Sequence, residues 1–310
     1  MPKTGLPLKT LVIIIVLVIA VPAIIYWLWQ RQPKGMTLTQ ELTTPASQNQ
    51  GATGSAVQSI KVAIEDGKVL QQKNLQLQGR VPPNSLVVIY SAAANAIVKS
   101  DMAGSFTNNV DLVGGLNLIS ISVLGSDYKE IAAKNLTYYQ DSTDTTNTTV
   151  YAGLVKSIFG NTITLTTQSG EMPVKKSNST QVSVPKLPGV QSQPQDQDVR
   201  VGDYMIALGK SVTNGQMEAK SINILRDNKP QNQTRFAVVR ILSGLSKNTF
   251  SAQQNGQSNI VKIATTNDTS YFDQDNEVDI KAVTKDKSAI VIFHKDAKAN
   301  DVANLVYLLP

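Results

Sequence analysis

The chain has 310 residues, a formal net charge of +6 and no cysteine. The absence of cysteine excludes disulfides, thiolate nucleophiles, cysteine-ligated zinc and iron–sulfur clusters, and also the cysteine-based anchor of bacterial lipoproteins. Small secreted eukaryotic domains often carry disulfides, so their absence favours a bacterial protein. The 29 basic residues are dispersed and form no stripe interleaved with aromatic residues, so no nucleic-acid partner is predicted.

An uncharged apolar run over residues 11–29 predicts a single transmembrane α-helix. At ~1.5 Å per residue the run spans about 28 Å, which is close to the hydrocarbon thickness of a bilayer. Tyr26, Trp27 and Trp29 cluster at its end, as aromatic residues do at the headgroup level. A cleaved signal peptide is the alternative, but its apolar region is shorter and ends in small residues. We therefore expect an uncleaved anchor after a short segment, residues 1–10, in a single-pass cell-membrane protein whose C-terminal region is extracytoplasmic.

Polar segments divide the rest of the chain. Residues 30–58 are rich in Thr, Gln and Ser and predict a flexible linker. Two further linkers are predicted at residues 140–149 and 227–234. The three pieces that remain, each rich in short strand-like runs, are residues 59–139, 150–226 and 235–310. The expected fold class is an all-β ectodomain behind one N-terminal transmembrane helix.

The first piece has the pattern of a β-sandwich. Leu86–Tyr90 is a continuous apolar run of strand length. Farther along, Ile119, Ile121 and Val123 alternate with Ser120 and Ser122. That alternation predicts a strand with one buried face and one solvated face. Short strands at this spacing, separated by turn residues, are typical of a sandwich.

A turn motif in the same piece carries a family resemblance. Asp101-x-x-Gly104-x-Phe106 lies between the GRVP segment that starts at Gly79 and the GLNLI segment that starts at Gly115. This pattern resembles bacterial Ig-like domains of surface proteins. The resemblance implies that Asp101 and Gly104 shape a tight turn and that Phe106 fills the core between two sheets. It says almost nothing about function.

The second and third pieces look like copies of one another. Asn161-Thr162 and Asn248-Thr249 fall at the same point, between two apolar strands, which is a hairpin signature. The matching segments are Gly153–Leu165 with Arg240–Ala252, Tyr204–Leu208 with Ser288–Ile292, and Ala219–Leu225 with Ala303–Leu309.

The repeated pattern, with Val201-Gly202-Asp203 before the later strand, resembles a small β-barrel domain of unknown function found in bacterial exported proteins. The second copy departs from it, with Lys285-Asp286-Lys287 in place of that turn. The resemblance implies a small barrel fold and an exported or envelope setting, and it supplies no catalytic residues.

One acidic run is a candidate metal site. On a single strand its alternating carboxylates would line one face, and hard oxygen ligands at such spacing suit Ca²⁺. The EF-hand pattern fails, because Val278 and Thr284 stand where Gly and Glu are needed. A solvated acidic loop is the alternative, and no other cofactor is predicted. The candidate calcium ligands are Asp273, Asp275, Glu277 and Asp279.

No enzyme signature is present: there is no nucleophile elbow, zinc-protease helix, P-loop or dinucleotide-binding glycine motif. The single histidine, His294, could serve a triad with Asp296, but nothing in the sequence places a serine beside it, so no catalytic residue is predicted. We expect a non-enzymatic envelope or surface scaffold that contacts an envelope protein.

Two alternatives remain open. An envelope polysaccharide-binding protein predicts a cleft between modules, although the chain has no tryptophan outside the anchor. A carboxylate-dependent hydrolase predicts two facing carboxylates, at least one with a raised pKa.

Overall fold

The computed structural model describes residues 60–143, 147–185, 199–212, 215–226 and 234–310. Within these ranges the fold is all-β, with no α-helix. No helix among these residues is long and apolar enough to cross a membrane. The predicted anchor at 11–29 and linker at 30–58 lie outside the described residues. All described residues belong to one unit, Leu42–Pro310.

The strands fall into three successive groups. The first β unit contains β1 (Lys61–Val62), β2 (Val69–Leu70), β3 (Asn74–Arg80), β4 (Leu86–Tyr90), β5 (Asn95–Lys99), β6 (Ser105–Asp111), β7 (Gly115–Leu124) and β8 (Glu130–Gln140). The first barrel contains β9 (Thr149–Phe159), β10 (Thr162–Thr167), β11 (Gly170–Lys175), β12 (Gln181–Ser183), β13 (Tyr204–Ser211) and β14 (Met217–Leu225). The second barrel contains β15 (Arg235–Ser246), β16 (Thr249–Gln254), β17 (Ile260–Ala264), β18 (Ser270–Asp273), β19 (Asn276–Glu277), β20 (Ser288–Lys295) and β21 (Asp301–Leu308), with a 3₁₀ helix at Ile280–Ala282.

The first β unit is sandwich-like. A three-stranded sheet, β1-β3-β6, packs on a five-stranded sheet, β2-β8-β7-β4-β5. Leu77 and Phe106 from the small sheet meet Ile121 and Tyr138 from the large one in a shared core. Because these side chains are fully or almost fully buried, their packing joins the two sheets.

The turn before β6 forms as the sequence pattern predicts. The Asp101 carboxylate accepts hydrogen bonds from the backbone N–H of Ala103 and of Ser105, at 2.8 and 2.7 Å. Gly104 has φ of +79°, and a Cβ there would lie 2.1 Å from a backbone oxygen of Val81. Only glycine satisfies both constraints, so the chain turns tightly and delivers Phe106 to the core.

One expectation for β7 is wrong. Ser120 and Ser122 are not solvated, being only 8% and 2% exposed. The face that they share is covered by another part of the chain, so the five-stranded sheet is buried on both sides. Serine is compatible with a solvated or a buried position when its hydroxyl has a hydrogen-bond partner. Its alternation with isoleucine therefore could not show that this face of the sheet is buried.

The two barrels have the same topology. In the first, the order β11-β10-β9-β13-β14 closes on itself through a β11–β14 pairing. In the second, β17-β16-β15-β20-β21 closes through β17–β21 in the same way. Each closing pair is parallel, and each barrel adds one more parallel strand, β12 or β18, beside its last barrel strand.

Shared register shifts show which residues of the two barrels correspond to each other. In each barrel the first hairpin carries a register shift, so that Val155 pairs with Leu165 and Ile241 pairs with Ala252. Val155 therefore corresponds to Ile241. The predicted alignment, which matched Gly153 with Arg240, had matched Val155 with the next residue, Leu242. The second barrel has one extra residue before its hairpin turn, which restores the match of Asn161 with Asn248.

Both barrels pack on the outer face of the five-stranded sheet, at opposite ends. Val88, Tyr90 and Leu124 of the sheet contact the second barrel, where Phe236 and Ile292 complete the cluster. The rings of Tyr90 and Phe236 lie 5.7 Å apart, centroid to centroid. At the other end, Val69, Leu116 and Tyr139 pack against the first barrel. Val87 and Ile89 face the sandwich core while Val88 and Tyr90 face the second barrel, which explains why Leu86–Tyr90 is apolar on both faces.

Candidate binding cleft between the first β unit and the second barrel

A cleft of about 840 Å³ lies where the β4–β5 loop of the first β unit meets the second barrel. Its volume is within the usual range for small-molecule sites. Polar residues make up eight of the twelve that line it, and none of the twelve is Phe, Tyr or Trp. The polar lining residues are Asn95, Thr234, Thr266, Asp268, Ser270, His294, Asp296 and Asn304.

A buried hydrogen bond joins the two units beside the cleft. The Thr234 hydroxyl donates to the backbone oxygen of Ser91 at 3.0 Å, and Thr234 is only 4% exposed. Ser91 in turn holds its own loop, accepting from the backbone N–H of Ala94 at 2.9 Å. Because the cleft wall comes from two units that are hydrogen-bonded together, its shape depends on their packing.

Asn95 lines this wall and also a second pocket beside β5, and its side chain carries an unsatisfied acceptor. Its Oδ1 atom is buried and has no hydrogen-bond partner in the described structure. A buried acceptor without a partner costs about 1–3 kcal/mol relative to a satisfied one.

His294, the only histidine, is at the end of β20 and lines the same cleft. Its Nδ1 lies 2.6 Å from Oδ1 of Asn304 on β21. An amide oxygen can only accept, so the ring donates through Nδ1 and its Nε2 is the remaining hydrogen-bonding atom. Asn304 sits at the register shift between β20 and β21, and this irregularity brings its side chain to the histidine.

Two carboxylates also line the cleft, but they differ in availability. Asp296 accepts from the backbone N–H groups of Lys298 and Asn300 and from the Asn300 amide, all within 2.8–2.9 Å. The Asn300 side chain, followed by the backbone N–H groups, lowers the pKa of Asp296. The Asp296 carboxylate is thus already hydrogen-bonded within its own turn, whereas Asp268 is exposed at the cleft.

The predicted calcium ligands lie on a hairpin and its exit rather than along one strand. Asp273 ends β18, Asp275 is in the turn, and Glu277 ends β19, because Gln274 adopts φ of 55° and reverses the chain. Asp273 is paired with Lys287 at 3.2 Å, and Asp279 caps the 3₁₀ helix by accepting from a backbone N–H. Among the described residues, no group of three or more acidic or histidine side chains is placed to hold a metal ion.

A different carboxylate has a raised pKa. Glu130, at the start of β8, is partly buried, and this burial raises its pKa, while a hydrogen bond with Ser122 acts in the opposite direction. Ser122 also hydrogen-bonds Tyr90, whose pKa burial raises as well. The cause is desolvation, and no second carboxylate of the described chain contributes to the shift.

Sequence analysis singled out His294, with Asp296 as a possible triad partner, and missed the other cleft residues. Asn95, Thr266 and Asn304 come from separate strands and loops, and each belongs to a common surface residue type. Their only distinguishing property is proximity, which depends on how the units pack. No local pattern could have identified them.

Comparisons with known proteins identify no relative. No protein-family model matches the chain, and no curated protein matches it. One similar solved structure is "drosophila Unr CSD456", at 10% identity over 73% of this chain and 97% of that chain, with a TM-score of 0.21. Another concerns "host cell surface retention of a 1.5-MDa bacterial ice-binding adhesin", at 10% identity over 82% of this chain and 98% of that chain, also with a TM-score of 0.21. Similarities at this level support no inference about function.

Proposed function

We propose that the protein is a non-enzymatic scaffold of the bacterial cell envelope, anchored in the membrane through residues 11–29, with its β units extracytoplasmic. The observation that carries this proposal is the double packing of the five-stranded sheet, which joins the first β unit to both barrels through apolar clusters. Such packing holds contact surfaces at set distances from one another, which is what a scaffold requires. The cleft is the surface to which we assign an envelope protein partner.

The finer fold assignments belong to the same proposal. We assign the first β unit to the bacterial Ig-like surface domains, supported by its two packed sheets and by the Asp101–Gly104 turn that positions Phe106. We assign both barrels to the small β-barrel domain of exported proteins and interpret them as an internal duplication. Their identical strand order and shared register shifts support this.

Photo-crosslinking in intact cells tests the scaffold proposal. A photoreactive amino acid at Asp268 reports on the cleft, and one at Ser179 is the matched control. Ser179 holds the equivalent place in the first barrel, outside the cleft. We expect a discrete higher-mass product from position 268 alone, in the membrane fraction. Products from both positions or from neither, or a chain found only in the soluble fraction, would contradict the proposal.

A polysaccharide-binding function is the second candidate, favoured by the polar side chains that line the cleft. Sugar hydroxyls both donate and accept hydrogen bonds, which suits the amide, hydroxyl and carboxylate groups of this lining. The test is co-sedimentation of the full chain, in detergent, with isolated envelope polymer, with and without calcium. Asn304→Ala should reduce saturable binding, whereas Lys220→Ala, at the equivalent position of the first barrel, should not. An equal effect of both variants would contradict a cleft-based site.

The same assay separates binding from hydrolysis. If the chain were a carboxylate-dependent hydrolase, soluble fragments would accumulate from the polymer with time, and Asp268→Asn would stop their release. The scaffold and binding proposals both require that no fragments appear.

A further inference from the structure

One end of the first barrel exposes apolar side chains that its fold does not require. Phe159, at the tip of the β9–β10 hairpin, is 89% exposed, Val201 is 65% exposed and Ile158 is 42% exposed. The backbone N–H of Gly202 donates to the oxygen of Val155 at 2.8 Å, which places Val201 beside the last part of β9. We call Ile158, Phe159 and Val201 the apolar tip.

The second barrel is an internal control for this surface. Phe159 pairs with Thr162, and in the second barrel Ser246 pairs with Thr249 at the corresponding place. Val201 corresponds to Lys285, because Gly202 and Asp286 make the same backbone hydrogen bond. Since the same fold forms with serine and lysine at these positions, the exposed phenylalanine and valine do not serve the barrel itself.

Basic residues surround the apolar tip. Lys175 ends β11 opposite Thr162, and the backbone N–H of Lys176 donates to the oxygen of Asn161 at 2.7 Å, so this Lys-Lys pair borders the hairpin. Arg200, exposed, precedes Val201. Two acidic residues partly offset this positive charge: Glu218 lies opposite Lys175, and Glu171 pairs with Lys156.

We propose that the apolar tip of the first barrel inserts into the interfacial region of a bilayer that contains anionic lipid. Apolar side chains that protrude from a surface gain free energy at the boundary between headgroups and acyl chains, and flanking lysine and arginine residues are attracted to anionic headgroups. The charge around the tip is what selects a lipid surface over a neutral apolar partner. The contact does not depend on the scaffold function or on the predicted anchor.

The absence of cysteine makes a clean test possible in the full chain. A single Asn161→Cys substitution places an environment-sensitive fluorophore next to Phe159, and Ser246→Cys places it on the matching hairpin of the second barrel. The labelled proteins are combined with vesicles of phosphatidylcholine alone or with phosphatidylglycerol, each carrying a quencher on the lipid. With phosphatidylglycerol we expect several-fold quenching of the label at 161 and none of the label at 246.

Two double variants complete the test. Phe159→Ser with Val201→Lys gives the first barrel the residues of the second, so the fold should be retained, as a thermal melt will check, and quenching at 161 should be lost. Lys175→Glu with Arg200→Glu should weaken the response to phosphatidylglycerol on the order of tenfold. Equal quenching at 161 and 246, equal quenching without anionic lipid, or full quenching in the Phe159→Ser, Val201→Lys protein would overturn the proposal.

Discussion

Thr180 and Thr269 make the same buried hydrogen bond in successive barrels. The Thr180 hydroxyl donates to the backbone oxygen of Ala219 at 2.7 Å, and the Thr269 hydroxyl donates to that of Ala303 at 2.7 Å. Each hydroxyl also accepts, at 2.9 Å, from the backbone N–H three positions before it. The hydroxyl therefore links the segment before the added parallel strand, β12 or β18, to the last barrel strand, β14 or β21.

Replacing either threonine with valine should destabilise its barrel by about 1–3 kcal/mol, because valine keeps the shape but leaves a buried carbonyl without its donor. Urea unfolding followed by circular dichroism measures the change. Thr180→Ser and Thr269→Ser, which retain the hydroxyl, should recover most of the stability. If serine and valine cost the same, the hydroxyl is not the stabilising group.

Asp203 and Asp273 allow a comparison of a buried and an exposed ion pair. Asp203 pairs with Arg226 at 3.1 Å, with both side chains at most 12% exposed, while Asp273 and Lys287 are about 40% exposed. Asp203→Ala should cost about 3 kcal/mol, because it removes the carboxylate that pairs with a buried guanidinium. Asp273→Ala should cost less than about 1 kcal/mol, because water screens that pair. Equal losses in urea unfolding would contradict this assignment.

Phe236→Ala should uncouple the second barrel from the first β unit. Phe236 is fully buried in the cluster between them, so its truncation should cost about 3–5 kcal/mol. Because the loss falls at the junction, calorimetry should show one transition separating into two. Phe250→Ala is the control: this residue lies in the core of the second barrel, so its loss should lower the stability of that barrel without changing the junction. A single transition at unchanged temperature in Phe236→Ala would show that the junction contributes little.

Glu130 should make the first β unit less stable as pH rises. Burial raises its pKa in the folded state above the ordinary value of 4.5, so the folded protein holds this proton more tightly than the unfolded chain does. The resulting stability is complete below pH 4.5 and is lost as pH rises through the folded pKa. Glu130→Gln, which cannot ionise, should therefore raise the melting temperature at pH 7 more than at pH 4. An equal shift at both pH values would assign the effect to packing instead.

The calcium hypothesis for Asp273, Asp275, Glu277 and Asp279 makes a prediction about Lys287. The ammonium group of Lys287 is 3.2 Å from Asp273 and competes directly with a cation there. Calcium affinity should thus be weak, with a dissociation constant of about 0.1–1 mM or higher. Lys287→Met should strengthen it, and Asp273→Asn with Asp275→Asn should abolish it, in isothermal titration calorimetry. No change in Lys287→Met would count against this site.

Sequence patterns predicted the local elements well. The continuous apolar run marked β4, and the alternating run marked β7. Asp101 and Gly104 marked the turn before β6. These features depend mainly on residues that are close in sequence. The repeat was also readable, since Asn161 and Asn248 occupy equivalent turns. The one-residue error before those turns arose because a register shift changes pairing without leaving a signature in composition.

The chain's sequence by itself determined the all-β architecture of the described residues and the equivalence of the two barrels, since strand periodicity and turn chemistry are local. Tertiary structure alone decided that Ser120 and Ser122 are buried and that Asn95 meets His294 across a cleft. It also decided that Phe159 stays exposed while Phe236, another phenylalanine on a strand, is fully buried. These outcomes depend on which surfaces pack together, and the packing free energy of distant segments is not encoded in any short window of residues.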